Sequence, residues 1–340
     1  MIYLNNAATT LQKPPCVVQA VVEAINGQGS CGRGSHTSEL SAARTIFHTR
    51  EALARIFTFR HPERVVFTAN ATQALNAALW GLLNPGDHVI ATDWDHNSVL
   101  RPLHTLAKER GVKVDYLPAD RKGRLEYDQL EGLLHPSTKL LVGTHASNLT
   151  GNLLDVVRMS AFAQKHGLVF LLDAAQTAGS APISMEEMGV HLLAFTGHKG
   201  LMGPQGTGGL CVAPGVELRP LLSGGTGVRS FEEDQPQEYP EHLEAGTLNS
   251  IRDFDASGKV VTFASSANAQ IRSSSGDVVA TIRGGVISTV KKPEGLRPPC
   301  SSPAATGRWR STARARRTSP SWSWTPTAPC AGRCSSPAWP

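Results

Sequence analysis

Between Val65 and Val212 the chain repeats one pattern: a short apolar run rich in β-branched residues, then a longer stretch with apolar residues at helical spacing. The strand-like runs are Val65–Thr68, His88–Thr92, Lys113–Leu117, Lys139–Thr144, Leu168–Asp173, Leu192–Thr196 and Gly208–Val212. Helical patterns cover Ala42–Ile56, Thr72–Leu83, Ser98–Arg110, Tyr127–Leu134 and Leu154–His166. Asn84-Pro85-Gly86-Asp87 ends one helix and turns the chain into the next strand. Runs that are apolar throughout, rather than alternating, are buried on both faces. The pattern therefore predicts an α/β fold with a mostly parallel central sheet flanked by helices.

Sheets of this kind bind ligands beyond the carboxyl ends of their strands. Polar residues gather at those ends here: Asp93-Trp94-Asp95-His96-Asn97, His145-Ala146-Ser147-Asn148, Asp173 with Gln176, and Thr196-Gly197-His198-Lys199. A lysine between glycines behind a buried strand, as Lys199 is, suits imine formation with an aldehyde. An acid ending a buried run, as Asp173 does, needs a partner, because a lone buried charge is costly. Pyridoxal 5′-phosphate (PLP) answers both demands, through its aldehyde and its pyridine nitrogen. Plainer readings stand beside this one. Asp173 also reads as a cap for 174–179, His96 as a helix-start residue, and Asn70-Ala71-Thr72 as ordinary N-terminal capping. Gly203–Gly209 is not a nucleotide-binding loop, since it lacks Gly-Lys-Ser/Thr and precedes a strand.

The net charge of +5 belongs wholly to the C-terminal segment. Residues 253–340 hold 12 Lys+Arg against 4 Asp+Glu, which leaves 21 basic and 24 acidic residues in 1–252. Nucleic-acid binding is not expected of a core with that balance. No apolar stretch is long enough to span a membrane. The start of the chain has no signal-peptide pattern, so a cytoplasmic location is expected. The six cysteines are scattered, against a disulfide framework, and no metal site is expected. From Gly295 onward acidic residues vanish and Pro, Ser, Arg, Ala and Trp dominate, which reads as an out-of-frame or disordered segment. The expected division is 1–252, a cofactor-binding large domain with 1–20 contributing to a small domain, and 253–340, an atypical basic segment.

Several stretches of the chain, in order, resemble the class V aminotransferases and, among them, the cysteine desulfurase/selenocysteine lyase-like group. They are Tyr3–Thr10, Gly32–His36, Val66–Asn76, His96-Asn97-Ser98, Ser147–Gly151, Asp173–Gln176, Thr196–Lys199 and Glu244–Asn249. The resemblance implies fold type I of the PLP-dependent transferases, with the small domain incomplete or aberrant here. It also implies roles. Lys199 would be the Schiff-base lysine and proton carrier, Asp173 the partner of the pyridine nitrogen, and His96 the residue stacked on the ring. Gln176 would bond the phenolic oxygen, with Asn148 close by. Ala71, Thr72, Thr196 and His198 would hold the phosphate, and Thr247 would reach the neighbouring subunit's phosphate in a homodimer. An amino acid would be the substrate, and a sulfur-acceptor protein would be the partner of a desulfurase. Past Arg252 neither the family's nucleophilic cysteine loop nor its carboxylate-gripping arginine has a match. Efficient desulfuration is therefore not expected. A class V transaminase, lyase or epimerase needing no thiol, and a non-catalytic PLP-binding remnant, are the alternatives.

Overall fold

A computed structural model of the chain describes residues 3–248, except Ser30 and 32–35, and a few short strands beyond. Its backbone divides into two units, Met1–Thr289 and Val290–Pro340. The expected boundary at 252/253, and most of the tail assigned to it, lie outside the described residues.

The first unit is built on seven strands: β1 (Val65–Thr68), β2 (His88–Thr92), β3 (Lys113–Leu117), β4 (Thr138–Thr144), β5 (Val169–Asp173), β6 (Leu192–Thr196) and β7 (Gly208–Val212). Their order across the sheet is β1-β7-β6-β5-β4-β2-β3. β3, β2, β4, β5 and β6 pair in parallel, and β7 is antiparallel to both its neighbours. The expectation of a mostly parallel sheet thus holds, with β7 the reversed strand.

Alternate residues of each central strand feed two cores. Phe170, Leu172, Leu193 and Phe195 join one face, with Leu53 of α2 (Thr37–Ile56) and Met159 of α5 (Val156–His166). Leu171, Leu192 and Ala194 join the other, with Leu75 and Leu79 of α3 (Ala71–Leu82) and Leu103 of α4 (Asn97–Arg110). Each large apolar side chain buried in this way contributes about 1.5–3 kcal/mol. Edge strand β3 carries exposed polar residues instead, as suits an edge.

Several helices depart from the sequence reading: α2 starts at Thr37 rather than Ala42, α3 runs Ala71–Leu82 rather than Thr72–Leu83, and α4 starts at Asn97 rather than Ser98. Tyr127–Leu133 closes as a 3-10 helix. Residues 154 and 155 precede α5, because Asp155 takes the cap and accepts the Arg158 N–H at 3.0 Å. A further helix, α1 (Pro15–Gly27), was not expected. Pro15 sits at its first position, where a missing N–H costs nothing, and Ala24 is its buried residue. Beyond residue 250, three strands form a separate small sheet: β8 (Asn268–Arg272), β9 (Val278–Arg283) and β10 (Val286–Val290). No described helix is long and apolar enough to cross a membrane.

The outer edge of β1 is closed by an ion pair that sequence reading did not find. Arg50, on α2, donates to both carboxylate oxygens of Glu244, at 2.8 and 2.7 Å. Glu244 accepts the Phe67 N–H at 2.5 Å, and Arg50 donates to the Val65 carbonyl. Both side chains are almost fully buried. Removing one charge from such a pair strands the other in a dry site. Glu244→Gln is expected to lower the unfolding free energy by about 3–5 kcal/mol, measured by urea denaturation. A loss under 1 kcal/mol would show that the pair is not holding this edge.

Candidate active site

A cavity of about 330 Å³ opens at the carboxyl ends of the central strands. Each segment around it is positioned by a short-range rule. Thr68 ends β1, and Asn70 then caps α3 by accepting the Gln73 N–H at 2.9 Å. The N–H groups of Ala71 and Thr72, at the first positions of the helix, have no intrahelical acceptor and can meet an anion. His96 caps α4: its Nδ1 accepts the Ser98 N–H at 3.1 Å, which leaves the proton on Nε2. Ser98 Oγ lies 2.9 Å from the same nitrogen and 2.8 Å from Thr72 Oγ1, tying the two helix starts together.

Asp173, at the end of β5, is 3% exposed. Its Oδ1 accepts the Ala175 N–H at 2.9 Å, and Thr144 Oγ1 donates to Oδ2 at 3.4 Å. No salt bridge reaches it among the described residues. Burial pushes its pKa up, against the pull of the Ala175 N–H, His96 and Lys199. Lys199 faces the same cavity, and its Nζ makes no hydrogen bond among the described residues. Burial lowers its pKa, and Asp173 only partly opposes this. A lowered pKa leaves more of the amine unprotonated near neutral pH, and the neutral form is the one that attacks an aldehyde or accepts a proton. The loops bearing the two residues pack backbone on backbone. A Cβ on Gly200 would lie 2.5 Å from Ala178 O, and one on Gly179, at φ +79°, 2.7 Å from Gly200 C.

Nine of the ten residues expected in the site line this cavity: Ala71, Thr72, His96, Asn148, Asp173, Gln176, Thr196, His198 and Lys199. Thr247 is exposed and does not. Two of the nine are partly committed elsewhere. Thr196 donates its hydroxyl to Thr207 O at 3.3 Å, and His198 Nδ1 meets Thr9 Oγ1 at 3.0 Å. Of the polar strand ends, Asp93, His145 and Ser147 turn away. Asp93 accepts the Ala119 N–H, His145 meets Thr177, and Ser147 accepts from Leu149 and Thr150.

Sequence reading assigned residues 1–20 to a small domain and named no site residue among them, yet Asn5, Ala7 and Ala8 line the cavity. Gln176 donates to Ala7 O at 3.2 Å, Thr10 Oγ1 to Lys199 O at 2.5 Å, and Lys13 to His198 O at 2.9 Å. The signal was present, since Tyr3–Thr10 is one of the stretches that carry the resemblance.

Asp95 lies behind the site, 5% exposed. Its Oδ2 accepts the Thr92 N–H at 2.7 Å, and its buried Oδ1 has no hydrogen-bond partner within ordinary geometry among the described residues. Burial, against the help of Thr92 and reinforced by the charge of Asp173, raises its pKa to about 7.

The chemistry of the donors fits PLP. A buried carboxylate without a cation suits a protonated pyridine nitrogen, a lysine with a free amine suits an aldehyde, and a helix start suits a phosphate. The family model described as Aminotransferase class-V matches residues 2–289. A probable cysteine desulfurase of Methanothermobacter thermautotrophicus is 36% identical over 254 residues, covering 73% of this chain and 63% of its own length. A cysteine desulfurase of Haloferax volcanii is 35% identical over 73% of this chain and 60% of its own. The solved apo cysteine desulfurase from Thermococcus onnurineus superposes with a TM-score of 0.70 at 31% identity, over 76% of this chain and 66% of that one.

The chain belongs to the class V aminotransferase family. Within it, the chain is similar to cysteine desulfurases and shares their α/β, fold type I architecture. It spans less than two thirds of the length of these curated relatives.

The raised pKa of Asp95 makes stability depend on pH. Because the folded chain holds this proton more tightly, the stabilisation is complete below the ordinary carboxylate range near 3.8 and is lost as pH rises through about 7. Each tenfold difference in proton affinity is worth roughly 1.4 kcal/mol. Unfolding free energies at pH 4 and 8 should therefore fall more steeply in the wild type than in Asp95→Asn, by a few kcal/mol. Equal slopes would show that Asp95 is charged throughout.

Proposed function

We propose that the chain binds PLP at the rim of β1, β5 and β6 and acts on the α-carbon or side chain of an amino acid. The observation that carries this reading is the pairing, across one cavity, of Lys199, free of hydrogen bonds among the described residues, with Asp173, buried without a salt bridge. When bound, the cofactor supplies an electron sink for charge developing on the substrate. The chain's residues do the rest. Asp173 keeps a proton on the ring nitrogen. Lys199 Nζ holds the cofactor and carries a proton to and from the substrate carbon. His96 would cover one ring face, Gln176 and Asn148 would attend the phenolic oxygen, and the N–H groups of Ala71 and Thr72, with Thr196 and His198, would take the phosphate. Thr247, exposed in the single chain, serves the partner's site in a homodimer.

Borohydride treatment of the PLP-loaded protein should fix the cofactor mass on the peptide containing Lys199, read by mass spectrometry. Asp173→Asn should retain cofactor while losing at least tenfold in turnover. Label on another lysine, or an unchanged rate in Asp173→Asn, would each remove one of these assignments.

Within this reading we infer a reaction that needs no thiol from the described part of the chain, such as transamination, elimination or epimerisation. Desulfuration requires a thiolate delivered to the substrate sulfur, which passes it on to an acceptor protein. Among the described residues, Cys16 is exposed on α1, Cys31 packs against the core, and Cys211 is buried on β7; none lines the cavity. Burial raises the pKa of Cys31 and of Cys211, which disfavours their thiolates. Cys300, Cys330 and Cys334 lie outside the described residues. With L-cysteine and PLP-saturated protein, sulfide release should fall far below roughly 1 per second, an ordinary enzyme rate. A rate at or above that, lost on replacing one cysteine by alanine, would identify the thiol and restore desulfuration.

A further inference from the structure

At the other end of the sheet from the cavity, three segments bring two imidazoles and a carboxylate together. His88 opens β2, Asp115 lies within β3, and His135 sits in the turn before β4. His88 Nε2 is 3.2 Å from Asp115 Oδ2, and His135 Nε2 is 3.5 Å from the same oxygen. One ligand atom from each residue falls within 4.8 Å of the others. The two rings are 4.6 Å apart, tilted by 48°.

We infer that His88, Asp115 and His135 form a binding site for a divalent late first-row transition ion, zinc foremost. Imidazole nitrogen and carboxylate oxygen bond zinc at ~2.0–2.2 Å, which puts neighbouring ligand atoms of a tetrahedral site ~3.4 Å apart. The two measured separations straddle that edge length. An ordinary imidazole–carboxylate hydrogen bond would account for His88 and Asp115 alone. A second imidazole pairing with the same oxygen is the competing arrangement, and zinc uptake separates the two.

The surroundings suit ligation. His88 is fully buried, and Thr138 Oγ1 lies 2.7 Å from its Nδ1. Thr138 also accepts the His135 N–H at 2.8 Å, so one hydroxyl orients both histidine segments. An outer partner on the far ring nitrogen is the usual support of a metal-binding histidine. Asp115 and His135 are about half exposed, which leaves solvent access for entry and for a water at the fourth position. A mixed nitrogen and oxygen set with two histidines favours zinc, cobalt or nickel over magnesium or calcium. Because β3 is the edge strand, an ion here would clip it to the turn entering β4 across β2.

Zinc uptake by the EDTA-washed full chain tests this by isothermal titration, alongside melting temperatures with and without zinc. The comparison is with Asp115→Asn and His135→Ala, both altered at half-exposed side chains, and with His104→Ala, a change on exposed α4 surface. The site predicts one zinc equivalent in the wild type and in His104→Ala. In Asp115→Asn and in His135→Ala that equivalent should bind at least tenfold more weakly. Zinc should raise the melting temperature of the first two proteins and not of the last two, while all four melt alike without it. Equal uptake by the wild type and both site variants would place the metal elsewhere, on the cysteines for example, and overturn the inference. No uptake by the wild type would overturn it as well.

Discussion

Water reaches only 3% of Asp173, at the end of a strand whose preceding residues, Leu171 and Leu172, are buried on opposite faces of the sheet. Burying a carboxylate there is expensive, and the surrounding structure is arranged to carry that cost in part. The Ala175 N–H and the Thr144 hydroxyl favour the charged form, and Lys199 and His96 attract it. Those attractions do not offset desolvation, and Asp95 behind the site adds repulsion. The result is a site with a standing demand for positive charge within the cavity. Strand register meets that demand at the right place, since Asp173 pairs with Thr144 on one side and with Ala194 on the other. The rim of the cavity is thereby fixed by backbone pairing, not by long side chains.

The same logic governs the loops. Gly179 and Gly200 let two turns meet without side chains between them, so the Lys199 loop cannot drift from the Asp173 loop without breaking that contact. Two helix starts, joined through Thr72 and Ser98, face the cavity from α3 and α4. The N-terminal segment closes the arrangement by donating to the carbonyls of His198 and Lys199. The sheet edges are treated differently. β1 is sealed by a buried charge pair, while β3 stays polar and carries Asp115.

The strands were legible because burial on both faces leaves unbroken apolar runs. Five of the seven have the expected bounds, and β4 and β5 differ by one residue at their starts. Helix starts were less legible, since caps such as Asp155 act through a single side chain. α1 escaped notice because Pro14-Pro15 reads as a break and little of the helix is buried to give it a clear apolar stripe. The cavity was legible because strand ends must converge in this topology. Which polar residues at those ends turn inward was not, since Asp93 and His145 also follow buried apolar runs and yet bond away from the cavity. The Arg50–Glu244 pair spans 194 positions and has no local signature. The His88, Asp115 and His135 cluster was missed for the same reason, as its members are far apart in the chain.

What the described rim provides is common to many reactions of amino acids: a buried acid, an amine of lowered pKa and an anion site at a helix start. In the proposed function these groups would stabilise charge next to the substrate carbon without selecting which bond breaks. Selection must come from groups that grip the carboxylate and meet the side chain. The described cysteines are poorly suited to that task, since the two partly or fully buried thiols are held toward their neutral form and none faces the cavity. An exposed rim residue such as Asn148 is better placed to feel a substrate than any of them. Family membership and reaction outcome therefore rest on different parts of the chain. The sheet and its ends settle the first. The second depends on whichever residues complete the mouth of the cavity, which is why kinship with cysteine desulfurases does not by itself make this chain a desulfurase.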